Sequence, residues 1–158
     1  MSLVISITHP KAIIMASDTK IITTYKRYNP ADDTFTGEEE NKQSEQVKTF
    51  LIPQVGCLSF WGEATNTGKE LECFLKNNIN DNDDIVSVSD KLFDYLKNQM
   101  KPSNEIGFHL GGFDKSGLAK LYHIFYSIQL GREENGIGYY KNIEDEGNKY
   151  VVLFNGRN

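Results

Sequence analysis

The sequence predicts an α+β protein, with antiparallel sheet layers and helices packed outside them. Two observations predict this. β-branched and alternating segments fill the first and last thirds of the chain, whereas 3.6-residue apolar periodicity is confined to the stretch between Glu63 and Met100. In addition, 158 residues with 39% hydrophobic and 25% charged side chains suit one domain with its own core, spanning residues 1–158.

The elements follow in order. Leu3 to Thr8 reads as a strand, His9-Pro10-Lys11 as a tight turn, and Ala12 to Ser17 as a second strand that ends on Asp18. Lys20 to Arg27 (KIITTYKR) is β-branched enough for a third strand. From Tyr28 to Gln46 the apolar pattern dissolves. Pro30, Gly37, Asp32, Asp33 and the run Glu38-Glu39-Glu40 predict a long exposed loop or a hairpin tip, with the acids solvated. The carboxylates there lack the spacing and glycine of an EF-hand.

Order returns in Val47 to Ile52 and Val55 to Trp61, joined by Pro53-Gln54, which read as paired antiparallel strands. Gly62 breaks the pattern. Glu63 to Asn77 follows as a helix with Ala64, Thr67, Leu71, Phe74 and Leu75 on one face. A polar linker reaches Asp84. Ser87 and Asp90 then resemble a capping box for a second helix carrying Val88, Leu92, Tyr95 and Leu96, which Pro102 stops. Ile106 to Phe113 and Leu118 to Tyr126 form a hairpin across Asp114-Lys115-Ser116-Gly117. Short strands are expected at Ile128 to Leu130 and Ile137 to Tyr140, and a last one at Tyr150 to Phe154.

The net charge of −5 leaves no basic stripe to neutralise phosphates, which argues against a nucleic-acid binder. No apolar run reaches the length of a membrane span and no signal peptide is visible, so the expected setting is cytoplasmic. Cys57 and Cys73 have no partners at metal-ligand spacing and are expected to be reduced, buried and inert. His9, His109 and His123 are scattered and suggest no metal set.

Ser2 carries the chemical interest. Aminopeptidases remove an initiator Met before so small a residue, leaving an α-amine beside a hydroxyl. An amine with an ordinary pKa of about 7.7–8 can take the proton of that hydroxyl at neutral pH. Ser is also among the commonest residues at position 2, so taken alone Met-Ser-Leu reads first as an ordinary chain start.

Order and spacing together resemble the proteasome β-subunit family and its bacterial relatives among the N-terminal nucleophile hydrolases. Ser2-Leu3-Val4-Ile5-Ser6-Ile7 is similar to that family's hydroxyl-led first strand. Ala12 to Asp18 is similar to its second strand, which ends in a catalytic acid at this spacing from the nucleophile. Lys48-Thr49-Phe50-Leu51-Ile52 resembles the strand that opens with the catalytic lysine. Ser59-Phe60-Trp61-Gly62 falls where the family places its small-residue loop before the first helix. His109-Leu110-Gly111-Gly112-Phe113-Asp114, followed by Leu121-Tyr122, resembles the family's Gly-Gly hairpin.

The resemblance implies a sandwich of antiparallel sheets with helices outside. It implies a threonine/serine-type peptidase or amidohydrolase with Ser2 as nucleophile, Asp18 and Lys48 as its charged partners, and backbone N–H groups of Trp61 or Gly62 as oxyanion donors. It implies a peptide or amide substrate, no metal or organic cofactor, and a homo-oligomeric ring or stack. An ammonium beside the hydroxyl would favour the developing alkoxide.

Three departures stand beside the likeness. The nucleophile is Ser where proteasomes use Thr. Trp61 is bulky where the family prefers a small side chain. The chain stops after the last expected strand, where the family continues into further helices, so one sheet face is expected to lie open. Trp61, the missing C-terminal part and a retained Met1 favour a second reading, a catalytically inactive proteasome-like scaffold or binding subunit. An unrelated α+β adaptor domain is a third.

Overall fold

The computed structural model describes residues 2–9, 11–28, 35–62, 67–100, 102, 105–127, 138–143 and 151–157. The elements are β1 (Ser2–His9), β2 (Ala12–Ser17), β3 (Lys20–Tyr28), β4 (Phe35–Glu45), β5 (Thr49–Ile52), β6 (Gly56–Gly62), α1 (Thr67–Asn78), α2 (Ile85–Tyr95), β7 (Ile106–Phe113), β8 (Ala119–Ser127), β9 (Gly138–Ile143) and β10 (Val151–Arg157). All strand pairings are antiparallel. They form a three-stranded sheet in the order β10-β1-β2, a β3-β4 ribbon, and a five-stranded sheet in the order β5-β6-β7-β8-β9.

The five-stranded sheet lies between two unlike layers. Alternation sends Leu58 and Phe60 of β6, Phe108 and Leu110 of β7, and Tyr122 and Ile124 of β8 to one face. There they meet Leu71 and Phe74 of α1 and Ile85, Val88 and Leu92 of α2, all essentially buried. Each such side chain contributes roughly 1.5–3 kcal/mol on burial, so this face dominates the stability of the chain. The helices present apolar residues at helical spacing, and α2 starts on a capping box in which Asp84 accepts from the Ser87 N–H and Ser87 Oγ accepts from the Asp84 N–H.

The opposite face packs on the β10-β1-β2 sheet, and this interface sets polar groups among apolar ones such as Val4 and Leu121. Ser6, Ser59 and His109 are fully buried in it and Thr8 nearly so. β1 therefore runs opposite to the usual rule for a surface strand: Val4, Ser6 and Thr8 point inward, whereas Leu3, Ile5 and Ile7 are only half-buried on the other side. Ile14 and Val152 are 60% and 59% exposed. The outer face of the three-stranded sheet is thus apolar and open among the described residues.

Gly111 and Gly112 permit close approach on both sides of β7. A Cβ at Gly112 would collide with the Val55 carbonyl, and one at Gly111 would sit 2.7 Å from Ile13 Cγ2 and 2.8 Å from Met15 Cε.

The α+β class and the strand–helix–strand order agree with expectation, and several local features differ from it. Phe35–Glu45, expected within a long loop or a hairpin tip, is a full strand, because its backbone pairs with β3 from Lys20↔Glu45 to Tyr28↔Phe35. A two-stranded ribbon satisfies its ladder without an apolar face, so the polar sequence concealed it. The cap of α2 is Asp84 with Ser87, one turn earlier than Ser87 with Asp90, because Asp84 has the extended backbone that a cap needs. The second helix ends at Tyr95 and continues as a π-helical turn, Leu96–Met100, before Pro102. Cys73 is exposed and Cys57 half-buried, so neither is a core residue. Val47 is 62% exposed and β5 starts at Thr49. β9 and β10 begin and end later than the alternation suggested. The expected strand at Ile128 to Leu130, and Ala64 on the first helix, lie outside the described residues.

Candidate functional site

The hairpin between β1 and β2 brings Asp18 back to the start of the chain. Its register pairs Val4 with Ser17, and the Asp18 N–H donates to the Leu3 carbonyl at 3.1 Å. The carboxylate then folds back on the same residue: Leu3 N–H donates to Asp18 Oδ1 at 2.8 Å. Lys48 enters from the other sheet. It precedes β5, where the Phe60 N–H donates to its carbonyl at 3.0 Å, and its Nζ donates to Asp18 Oδ1 at 2.9 Å. The Lys48 side chain is 1% exposed and that of Asp18 28%. One carboxylate oxygen therefore ties the first peptide of β1 to a buried ammonium on the facing sheet.

Three hydroxyls run beside this pair. Ser17 Oγ lies 2.8 Å from Thr49 Oγ1, which lies 2.7 Å from Ser59 Oγ. Ser17 and Thr49 adjoin Asp18 and Lys48 in sequence, so the chain links β2, β5 and β6 at the level of the ion pair.

Trp61 and Gly62 close β6 and aim their N–H groups in opposite directions. Antiparallel ladders alternate, and the Phe113 N–H donates to the Val55 carbonyl while the Phe60 N–H donates to Lys48. With Trp61 opposite Gly107, the same alternation turns the Trp61 N–H into the β7 ladder and the Gly62 N–H toward the side from which Lys48 enters. Gly62 has φ +95°, and a Cβ there would collide with the Glu105 carbonyl. The Trp61 indole lies against Gly107, where a Cβ would come 2.6 Å from its Nε1.

Of the residues singled out from sequence, Asp18 and Lys48 are in direct contact, and Ser2 adjoins that contact through its backbone, opposite Arg157 of β10. Gly62 lies at the end of the strand beside Lys48, and Trp61 points its backbone elsewhere. The Ser2 side chain and Met1 lie outside the described residues.

A second polar cluster was not foreseen. Ser6 Oγ lies 2.8 Å from His109 Nδ1, and His109 Nε2 lies 2.7 Å from Asn155 Oδ1, so β1, β7 and β10 are joined through one imidazole. The order hydroxyl–imidazole–amide resembles a catalytic triad, yet Ser6 and His109 are 0% exposed. No substrate carbonyl can reach them, and the cluster acts as a buried tie. His123 stands edge-on to His109 at 5.1 Å, stacks on Phe125 at 4.5 Å, and lies 5.9 Å from Trp61. His123 Nε2 and Trp61 Nε1 are buried without a hydrogen-bond partner among the described residues.

Burial pushes the His109 pKa below its ordinary value, against the opposing effect of Asn155. Burial, with the neighbouring His109, takes His123 down to about 4. The signal for this cluster was present in β1, where Ser6 and Thr8 alternate with Ile5 and Ile7 and either set could have faced inward. No group of His, Cys, Asp or Glu among the described residues could hold a metal ion, and no described helix is long and apolar enough to cross a membrane.

No protein-family model matches the chain, and no curated protein matches it.

Proposed function

We propose that the chain is a proteasome-like N-terminal nucleophile hydrolase of serine type, acting on a peptide or amide bond. The observation that carries this reading is the contact of Lys48 Nζ with Asp18 Oδ1 at 2.9 Å, on the oxygen that also accepts from Leu3 N–H. Such a contact holds a buried cation one peptide away from residue 2.

In this reading Met1 is removed and Ser2 Oγ attacks the carbonyl carbon of the substrate. The α-amine of Ser2 takes the hydroxyl proton and passes it to the leaving amine as the C–N bond breaks. The Lys48 ammonium stabilises the developing alkoxide, and Asp18 fixes the ammonium. The Gly62 N–H is the better oxyanion donor, because the alternation of β6 commits the Trp61 N–H to β7. Water then cleaves the acyl-enzyme by the reverse proton path. The open apolar face around Ile14 and Val152 supports assembly into a homo-oligomer that buries it.

The test is hydrolysis of a panel of peptidyl-aminocoumarin substrates by chain that starts at Ser2. Ser2→Ala and Lys48→Met should each lower kcat/KM by a factor on the order of 10² or more, while Ser2→Thr retains activity. Turnover unchanged by Ser2→Ala would refute the reading.

A second reading, an inactive scaffold on the same architecture, is favoured by Trp61. Its indole fills the space over Gly107, where the resembling family keeps a small side chain.

A further inference from the structure

We infer that the free edge of β5 and the cleft beside it form a docking groove for an extended peptide that carries aliphatic and cationic side chains. The inference does not depend on the hydrolase reading. β5 is the outer strand of the five-stranded sheet. The Phe60 N–H donates to the Lys48 carbonyl, so ladder alternation assigns Phe50 to a bonded pair with Leu58 and turns the N–H and C=O of Leu51 away from β6. Among the described residues those two groups meet no backbone partner, and the Leu51 side chain is 80% exposed. β5 is four residues long and is bounded by Pro53, so the edge offers a short template for strand addition, centred on the exposed Leu51.

The second observation is independent of the first. A cleft of about 400 Å³ lies between this edge and the C-terminal half of α1. Phe50, Leu75 and Ile79 contribute its apolar lining, enough to take one or two aliphatic side chains. Its charge selects the partner. Glu72 and Asp81 line it against a single Lys76, and the negative end of the α1 dipole adds to the carboxylates. An added strand therefore gains backbone bonds from Leu51, places an alternate aliphatic side chain in the cleft, and presents Lys or Arg to Glu72 and Asp81.

The test is titration of the ¹⁵N-labelled full chain with acetyl-Val-Lys-Val-Lys-Val-amide, and with acetyl-Val-Glu-Val-Glu-Val-amide as the acidic counterpart. The inference expects saturable amide shifts centred on Leu51, Leu75 and Ile79, with the basic peptide at least about tenfold tighter and its advantage shrinking at high salt. Glu72 and Asp81 are exposed, so the double variant Glu72→Lys, Asp81→Lys keeps the fold and should reverse the preference. Absence of shifts at these amides, equal response to both peptides, or an unchanged preference in the double variant would each overturn it. Shifts at Leu51 that depend on protein concentration and ignore peptide would assign the edge to a second copy of the chain instead.

Discussion

Leu3 and Lys48 share one oxygen atom. The Leu3 N–H and the Lys48 ammonium both donate to Asp18 Oδ1, at 2.8 and 2.9 Å, so the start of β1 and the entry to β5 are held at a fixed separation. The two strands belong to different sheets, and the register of neither sheet alone would bring them together.

That shared atom predicts an asymmetry between two substitutions. Asp18→Asn keeps an acceptor for the Leu3 N–H but takes the countercharge away from an ammonium that is 1% exposed, and should cost about 3–5 kcal/mol. Lys48→Met removes the buried charge and leaves a carboxylate that is 28% exposed and still hydrated. It should cost about 1 kcal/mol or less. Urea denaturation of the two variants measures the difference, and equal losses would contradict the pairing.

The hydroxyl chain predicts a graded response at one position. Thr49→Val leaves Ser17 and Ser59 without their shared partner and should cost about 1–2 kcal/mol, whereas Thr49→Ser keeps both contacts and recovers most of the loss. Thermal melts of the pair check this.

Gly62 should tolerate no side chain. With φ +95° and the Glu105 carbonyl in the path of a Cβ, Gly62→Ala should destabilise the chain by about 2–4 kcal/mol. A Gly117→Ala control, at φ +80° with open space around it, should lose only about 1 kcal/mol, from backbone strain alone.

The imidazole pair sets an acid limit. The ordinary histidine value is 6.5, and the folded protein holds His123 at about 4 and His109 lower than ordinary. The unfolded chain therefore binds more protons between those values. Stability is complete above about pH 6.5 and falls as the pH drops toward 4, by at most about 3 kcal/mol for His123. Denaturant midpoints at pH 7, 5.5 and 4.5 should decline in wild type and decline less in His123→Phe. A flat profile would mean that these rings are hydrated in the folded state.

The legibility of this chain in its sequence divides along physical lines. The helix pair and the β7–β8 hairpin were readable, because periodicity and turn chemistry are local, whereas the Asp18–Lys48 contact was expected only from the family resemblance. β4 was not readable, since Phe35–Glu45 pairs through its backbone and its side chains carry no apolar pattern. The Ser6–His109–Asn155 tie was hidden for a different reason. Ser6 and His109 alone lie 103 residues apart, and β1 offers two faces of which the less apolar is the buried one. The same inversion left the open face around Ile14 on the outside.

The central claim is that residue 2 bears both a nucleophilic hydroxyl and a free amine. Intact mass of untagged chain before and after a peptide epoxyketone tests it most directly. That electrophile closes a ring when a hydroxyl adds to its ketone and the amine of the same residue opens its epoxide, so the adduct retains the full reagent mass. The account predicts loss of Met1 and one adduct that disappears in Ser2→Ala. Retained Met1, or a processed chain that forms no adduct, would contradict it.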